Sequence, residues 1–288
     1  MPALHGLSPR TDAWFVGEVR DLGDALLLRT PDEPTFRYGN ALVLPRAPRA
    51  GERAAVEARF AAAFADLPAV RHVTVLVDDP APPDDAFAGW AEAGYEVARN
   101  VVRTAAPSAV GADAPGADAP GTDAPGADAP APDGLTLHPA DGDDDWAAVR
   151  ALQAEDGPPG EARDAYLAFL QERAAFLRRL ADGVRPDVRG GWFLARLHGT
   201  PVGSLGTYVR GDLGRYQFVH VRAPHRRRGI ATALLRYAAR HAERHWGARR
   251  LVIVGDEGSA ADRLYARLGF TATERDVSAC RPSPPEAA

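Results

Sequence analysis

The chain has 288 residues, and at roughly 150 residues per domain this predicts two folded units, each long enough to bury a core. Its 45% hydrophobic and 25% charged content excludes a disordered, fibrous or collagen-like chain, and the single cysteine, Cys280, excludes a disulfide framework and any zinc site built on paired thiolates. The formal net charge is −5, but Asp113, Asp118, Asp123 and Asp128 carry four of those charges, and a remainder near −1 offers no global field for nucleic acid or a membrane surface.

Met1 to Asp12 lacks a basic start followed by an apolar run, and no stretch approaches the roughly 20 apolar residues that span a bilayer. A cytoplasmic protein in a reducing compartment is the expectation. In chain order, residues 14–19, 25–29 and 36–44 are short apolar or alternating runs bounded by Asp, Gly and Pro, which predicts strands. Residues 52–64 carry Val56, Phe60 and Phe64 four apart, the period of a helix. Then 70–77 reads as a buried strand, 84–92 as a helix and 95–102 as a strand. The expected order of this head is β-β-β-α-β-α-β.

From Gly111 a pentad, Gly-Ala-Asp-Ala-Pro, repeats to Pro130 with Thr122 as its one variation. Proline every fifth residue denies helix continuity, small side chains offer nothing to bury, and evenly spaced carboxylates keep the chain extended. The expected organisation is therefore a domain over 1–107, a disordered Ala/Asp/Pro/Gly linker over 108–133 and a second domain over 134–288.

In the second domain a short strand at 135–138 precedes helices at 144–155 and 161–180. Residues 192–197 and 201–209 flank His198-Gly199-Thr200 and read as a hairpin. A strand at 216–221, a helix at 229–246, a strand at 250–254, a helix at 260–268 and a strand from Phe270 complete it. Strands and helices mixed in this way predict an α/β fold with a mixed sheet, and the later elements repeat the head's order.

The segment Val221-Arg-Ala-Pro-His-Arg-Arg-Arg-Gly-Ile-Ala231 lies between an apolar strand and a helix that carries Ile230, Leu234, Leu235, Ala238 and Ala242 on one side. A strand-to-helix turn leaves backbone N–H groups unpaired at the positive end of the helix dipole, where they can hold a phosphate. Gly229 and Ala231 are small enough to let an anion approach, and guanidinium groups add bidentate charge.

Arg226-Arg-Arg-Gly229-Ile-Ala231 resembles the pyrophosphate loop, Q/R-x-x-G-x-G/A, of the GNAT superfamily of acyl-CoA-dependent N-acyltransferases. Further on, Leu264-Tyr265-Ala-Arg-Leu-Gly269-Phe270 resembles that family's L-Y-x-x-x-G-F. The likeness covers roughly 135–273 and departs from the usual pattern at Ala223 and Gly258. It implies a tandem GNAT-like fold: a full C-terminal acyltransferase domain and a truncated, degenerate N-terminal copy. It also implies that Val221 and the turn residues Arg226, Arg227, Arg228, Gly229, Ile230, Ala231 and Thr232 bind acetyl-CoA as co-substrate, and that Tyr265 protonates the departing thiolate.

Acyl transfer from a thioester to an amine needs a neutral amine, an oxyanion stabiliser and an acid. Backbone N–H groups on the strand through Phe218, Val219 and Val221 are candidates to polarise the carbonyl, and Tyr265 to supply the proton. Tyr265 also suits a half-buried core position. His220 is a candidate base because an unperturbed imidazole titrates near neutral pH, but it also reads as a plain strand histidine. Asp256 and Glu257 are acidic alternatives, and a water relay would leave no mark in the sequence.

The acceptor, a small-molecule or protein amine, has no motif. The expected activity is N-acetyl transfer, with a catalytically silent acyl-CoA-binding sensor as the rival reading. No metal, nucleic acid or membrane is expected. His241 and His245 have metal-ligand spacing, but Ala242 replaces the glutamate of the zinc-protease pattern and a helix-edge role fits better. Cys280, beside Arg281 and Pro282, is expected without an ordered partner. In the head, the corresponding turn Leu44-Pro-Arg-Ala-Pro-Arg-Ala-Gly51-Glu52 loses two N–H donors to proline and places Glu52 at the helix start, while Trp90 stands where the phenol would be. The head is expected to bind no CoA.

Overall fold

The computed structural model describes residues 4–111, 131–160 and 162–283. It opens with a short helix, α1 (Leu7–Asp12). The strand expected at 14–19 does not form there. Ala13, Trp14, Phe15 and Val16 are each no more than 2% exposed, and four consecutive buried side chains cannot alternate between core and solvent as a one-faced strand requires. Ala13–Phe15 coils as a 3-10 turn, and the strand is β1 (Glu18–Asp21).

Then come β2 (Leu26–Arg29), a 3-10 turn at Arg37–Gly39 where the expected third strand was to begin, and β3 (Ala41–Leu44). Helix α2 (Arg53–Ala63) buries Val56 and Phe60, and every residue of β4 (Val73–Val77) is buried. The helix expected at 84–92 is also absent. Pro82 and Pro83 precede it, and Phe87 and Gly89 take φ of 60° and 75°, outside the right-handed helical region. Ala86, Phe87 and Trp90 are buried all the same, so their spacing records core contact in a turn-rich segment. The first part ends with β5 (Glu96–Ala105) and α3 (Pro107–Gly111). Helix α3 takes residues expected to start the linker, and the repeat beyond Gly111 lies outside the described residues.

The remaining elements fall close to their expected places: β6 (Leu135–Pro139), α4 (Gly142–Ala154), α5 (Ala162–Ala181), β7 (Arg189–Leu197), β8 (Thr200–Arg210), β9 (Leu213–Val221), α6 (Ile230–Trp246), β10 (Arg250–Asp256), α7 (Ala260–Arg267) and β11 (Thr271–Arg281). Between β7 and β8 the register pairs Leu197 with Thr200. The turn is thus two residues, His198 and Gly199, both with positive φ (48° and 81°), the conformation that matches strand twist in a tight hairpin.

Two compact units interleave along the chain. One takes the described residues of Met1–Val102, Val254–Ser259 and Thr273–Ala288, and the other takes Arg103–Ile253 and Ala260–Ala272. This differs from contiguous domains divided at the repeat, and strand pairing is the reason. In the first unit β11 pairs antiparallel with β4, Ser278 opposite Leu76 and Cys280 opposite Thr74. Val277 and Ala279 of β11 fill that unit's core. Cys280 is accordingly ordered and buried, with the Thr74 hydroxyl donating to its sulfur at 3.3 Å. In the second unit Ala105, at the end of β5, and Val110, on α3, lie in the core.

The first unit's strands run β1-β2-β3-β4-β11-β5, parallel at β3/β4 and antiparallel at β1/β2, β2/β3 and β4/β11. The second unit's run β10-β9-β8-β7-β6, parallel only at β9/β10. On one face of that second sheet, α6 buries Ile230, Leu234, Leu235, Ala238, Ala239 and Ala242, with each large aliphatic side chain worth about 1.5–3 kcal/mol. Helices α4 and α5 pack elsewhere on it, through Trp146 against Trp192 (6.2 Å between rings) and the Tyr208 hydroxyl donating to Leu177 O at 2.9 Å. Among the described residues no helix is long and apolar enough to cross a membrane.

Candidate active site

The site lies wholly within the second unit and starts from an irregularity in β9. Against β8, Gly206 pairs with Gln217 but Ser204 pairs with His220, so the single residue Leu205 faces both Phe218 and Val219. This is a β-bulge, and Phe218 absorbs it with φ of 47°. Bulges bend and twist a strand. The parallel register with β10 runs from Leu213–Arg250 to Arg215–Val252, short of the bulge. Against the C-terminal end of β9 lies a cavity of about 410 Å³, shared with the start of α6 and one face of α7.

The turn from β9 to α6 is built to expose backbone donors. Pro224 sits in a 3-10 turn at Ala223–His225, and the Arg226 Nε donates to Val221 O at 2.8 Å, folding the turn back on the strand. Arg227 and Gly229 have φ of 59° and 72°. At Gly229 the absence of a side chain makes that conformation inexpensive. Helix α6 has no side-chain cap, and its first carbonyl bond is from Ala233 N–H to Gly229 O, at 2.9 Å. The N–H groups of the preceding turn belong to residues that line the cavity, at the positive end of the helix dipole.

Tyr265 lies on α7, 7% exposed, and lines the same cavity. Asp262, one turn earlier, is ion-paired with Arg103 of β5, and Arg103 Nη1 also donates to Phe270 O at 3.3 Å. That clamp fixes α7 and with it the phenol. His220 is 4% exposed. Its Nδ1 stands 3.0 Å from Asp156 Oδ2, while its Nε2 has no hydrogen-bond partner and lies 3.6 Å from Glu155 Oε2. Both carboxylates follow α4 and are held by arginines of the β9–α6 turn: Arg222 Nε to Glu155 Oε1 at 2.7 Å, and Arg226 Nη2 to Asp156 Oδ1 at 3.4 Å.

Of the residues expected from sequence, Val219, His220, Val221, Arg226, Arg227, Gly229, Ile230, Ala231, Thr232 and Tyr265 line the cavity. Phe218 does not; its side chain is 47% exposed, displaced by the bulge. Arg228 is also outside the lining and lies 3.4 Å from His225 Nδ1. Asp256 and Glu257 are not in the lining either, and Glu257 pairs with Arg275 at 3.3 Å. Sequence reading missed Asp156, Arg263 and Arg267. The two arginines stand four apart on α7, flanking the recognised tyrosine, and that spacing was a usable signal. The His241 and His245 rings lie 4.3 Å apart at a tilt of 38°, His241 packs edge-on to Phe193 and Trp246, and burial lowers the pKa of His241. In the first unit, the turn before α2 holds its own anion: Glu52 accepts from both terminal nitrogens of Arg46 at 2.9 Å and from Arg49 N–H at 2.7 Å. These donors hold its pKa at about 2.

Residues 146–270 match the family model described as the acetyltransferase (GNAT) family. No curated protein was found to match the chain. Among solved structures, a functionally unknown conserved protein from Staphylococcus epidermidis is similar at 11% identity and a TM-score of 0.67, covering 92% of this chain and 93% of its own. A GCN5-related N-acetyltransferase from Kribbella flavida is similar at 17% identity and a TM-score of 0.61, covering 97% of each. A tandem GNAT protein from the clavulanic acid biosynthesis pathway is similar at 17% identity and a TM-score of 0.53, covering 93% of this chain and 82% of its own. At these identities the likeness is one of fold.

Proposed function

We propose, from the match of residues 146–270 to the acetyltransferase (GNAT) family model, that the protein is an acyl-CoA-dependent N-acyltransferase, with acetyl-CoA as donor and an amine of a small molecule or protein as acceptor. The observation that carries the reading is the convergence of the Arg226–Ala231 turn, His220 and Tyr265 on one cavity. The residues present suit a CoA diphosphate: an uncapped helix start, a glycine in the left-handed region and the side chains of Arg226 and Arg227 at the rim. When bound, the thioester supplies an acyl group and a thiol leaving group. The turn's N–H groups and arginines hold the diphosphate, Val219 and Val221 line the approach, and N–H groups beside the bulge are the candidates to polarise the carbonyl. His220 accepts the acceptor's proton, and Tyr265 donates one to the departing sulfur.

One working site per chain is the expected stoichiometry, because in the first unit Glu52 already engages the donors of the corresponding turn and Trp90 stands where Tyr265 would. Titration calorimetry of the full chain with acetyl-CoA tests this, and two equivalent sites would overturn it. Gly229→Val places a branched side chain at φ of 72° and is expected to weaken acetyl-CoA binding at least tenfold, about 1.4 kcal/mol. Unchanged affinity in a folded variant would refute the cradle. Free-thiol release from acetyl-CoA against a panel of amines tests turnover. Tight binding with no release from any amine would favour the silent sensor.

A further inference from the structure

His220 can act as a base only if the nitrogen facing the acceptor holds a lone pair, and the hydrogen-bond partners of the ring decide which nitrogen that is. His220 Nδ1 stands 3.0 Å from Asp156 Oδ2. An ionised carboxylate can only accept, so the hydrogen between them belongs to Nδ1. In the neutral ring Nε2 is then left without a hydrogen, and it is a buried atom with no hydrogen-bond partner. The nearest carboxylate oxygen to it, Glu155 Oε2, is 3.6 Å away, beyond a hydrogen bond. Glu155 is drawn off by Arg222, whose Nε is 2.7 Å from its other oxygen. Asp156 in turn is steadied by Arg226, 3.4 Å from Oδ1, and Arg226 is tied back to Val221 O at 2.8 Å. Asp156 and His220 both line the cavity that the Arg226–Ala231 turn and Tyr265 share.

We propose that Asp156 is the positioning residue of a carboxylate–imidazole pair, holding His220 in the Nδ1–H tautomer so that Nε2 is the base of the acyl transfer. The assignment rests on the acyltransferase reading of this cavity. As the acceptor nitrogen forms its bond to the acyl carbon, it gives one proton to Nε2. The carbon–sulfur bond breaks with its electron pair leaving on sulfur, and the Tyr265 hydroxyl supplies the proton that yields free thiol. The imidazolium then returns its proton to solvent, and the phenolate recovers one. Asp156 remains ionised throughout and stabilises the imidazolium across the 3.0 Å contact.

The test has one arm that needs no turnover. Nitrogen-15 spectra of histidine-labelled full-length protein report the protonation state of each ring nitrogen. Neutral His220 is expected as Nδ1–H in the wild type and is expected to lose that preference in Asp156→Ala. A wild-type ring with its hydrogen on Nε2, or a tautomer unchanged in Asp156→Ala, overturns the assignment. The second arm measures thiol release from acetyl-CoA with spermidine, benzylamine and a lysine-containing peptide as acceptor probes. Because a positioned base contributes about 10²–10⁴-fold, Asp156→Asn is expected to lower kcat at least about tenfold while acetyl-CoA affinity stays within about twofold. Asp156→Glu is expected to recover part of that loss. In a His220→Ala background, Asp156→Asn is expected to cost nothing more. An equal further loss in that background would show that Asp156 acts only through structure and would overturn the proposal. A wild-type protein that binds acetyl-CoA yet acylates none of the probes overturns the acyltransferase reading and this role with it, whereas active wild type with unimpaired Asp156 variants overturns this role alone.

Discussion

Tyr265 packs against Phe270, 6.3 Å between rings, and at 7% exposure its ring is part of the core. Tyr265→Phe keeps that packing and removes only the hydroxyl. Acetyl-CoA affinity should therefore stay within about twofold while thiol release falls by about 10²-fold, the lower range for a positioned acid. An unaltered rate where chemistry limits turnover would leave Tyr265 a core residue. The tyrosine and the Arg226–Ala231 turn were legible in the sequence because each is local: the donors, the small residues and the charge are neighbours along a few positions. Asp156 was not legible. It lies 64 residues before His220, in a stretch where Asp143, Asp144, Asp145 and Glu155 look chemically alike, and only the packing of α4 near β9 selects it. The exposure of the Phe218 side chain was not legible either, since the bulge behind it is set by the register of β9 against β8.

Helix α7 is held by charge as well as by its apolar face. The Arg103 and Asp262 side chains are 16% and 9% exposed, and removing one partner leaves the other charge buried. Asp262→Ala should cost about 3 kcal/mol of the second unit's stability, read as a lower denaturation midpoint. A loss below about 1 kcal/mol would mean that the pair is solvated like a surface bridge. In the first unit β4 is preceded by His72, 2% exposed with Nε2 3.1 Å from Asn40 O, and burial lowers its pKa. The unfolded chain therefore binds a proton at a higher pH than the folded one. Stability is full above about 6.5 and falls as the pH drops through that value toward the folded pKa. His72→Gln should flatten this slope in unfolding titrations between about pH 7 and 5, and an unchanged slope would assign it elsewhere. The long periodic helices of the second unit and its hairpin were readable because periodicity and turn chemistry agree there. Residues 84–92 were misread because Ala86, Phe87 and Trp90 satisfy a helical spacing by burial alone, while Phe87 and Gly89 turn the backbone away.

The interleaving of the two units makes neither half of the sequence self-sufficient. A fragment of residues 1–107 lacks β11, whose Val277 and Ala279 complete its core, and it should show no cooperative unfolding transition. A peptide spanning 271–283 added in trans should restore one. Cooperative folding of the fragment alone would show that β11 is dispensable. Nothing in composition or periodicity signalled this exchange, because strand order is set by pairing between distant segments. The pairing of β4 with β11 has a further consequence during synthesis. About 200 residues separate Val77 from Cys280, so at ribosomal rates of about 5–20 residues per second β4 waits roughly 10–40 s for its partner. For that interval the nascent chain carries an apolar strand, Val73-Thr-Val-Leu-Val77, with one hydrogen-bonding edge open. Such an edge invites pairing with other chains until β11 arrives to cover it.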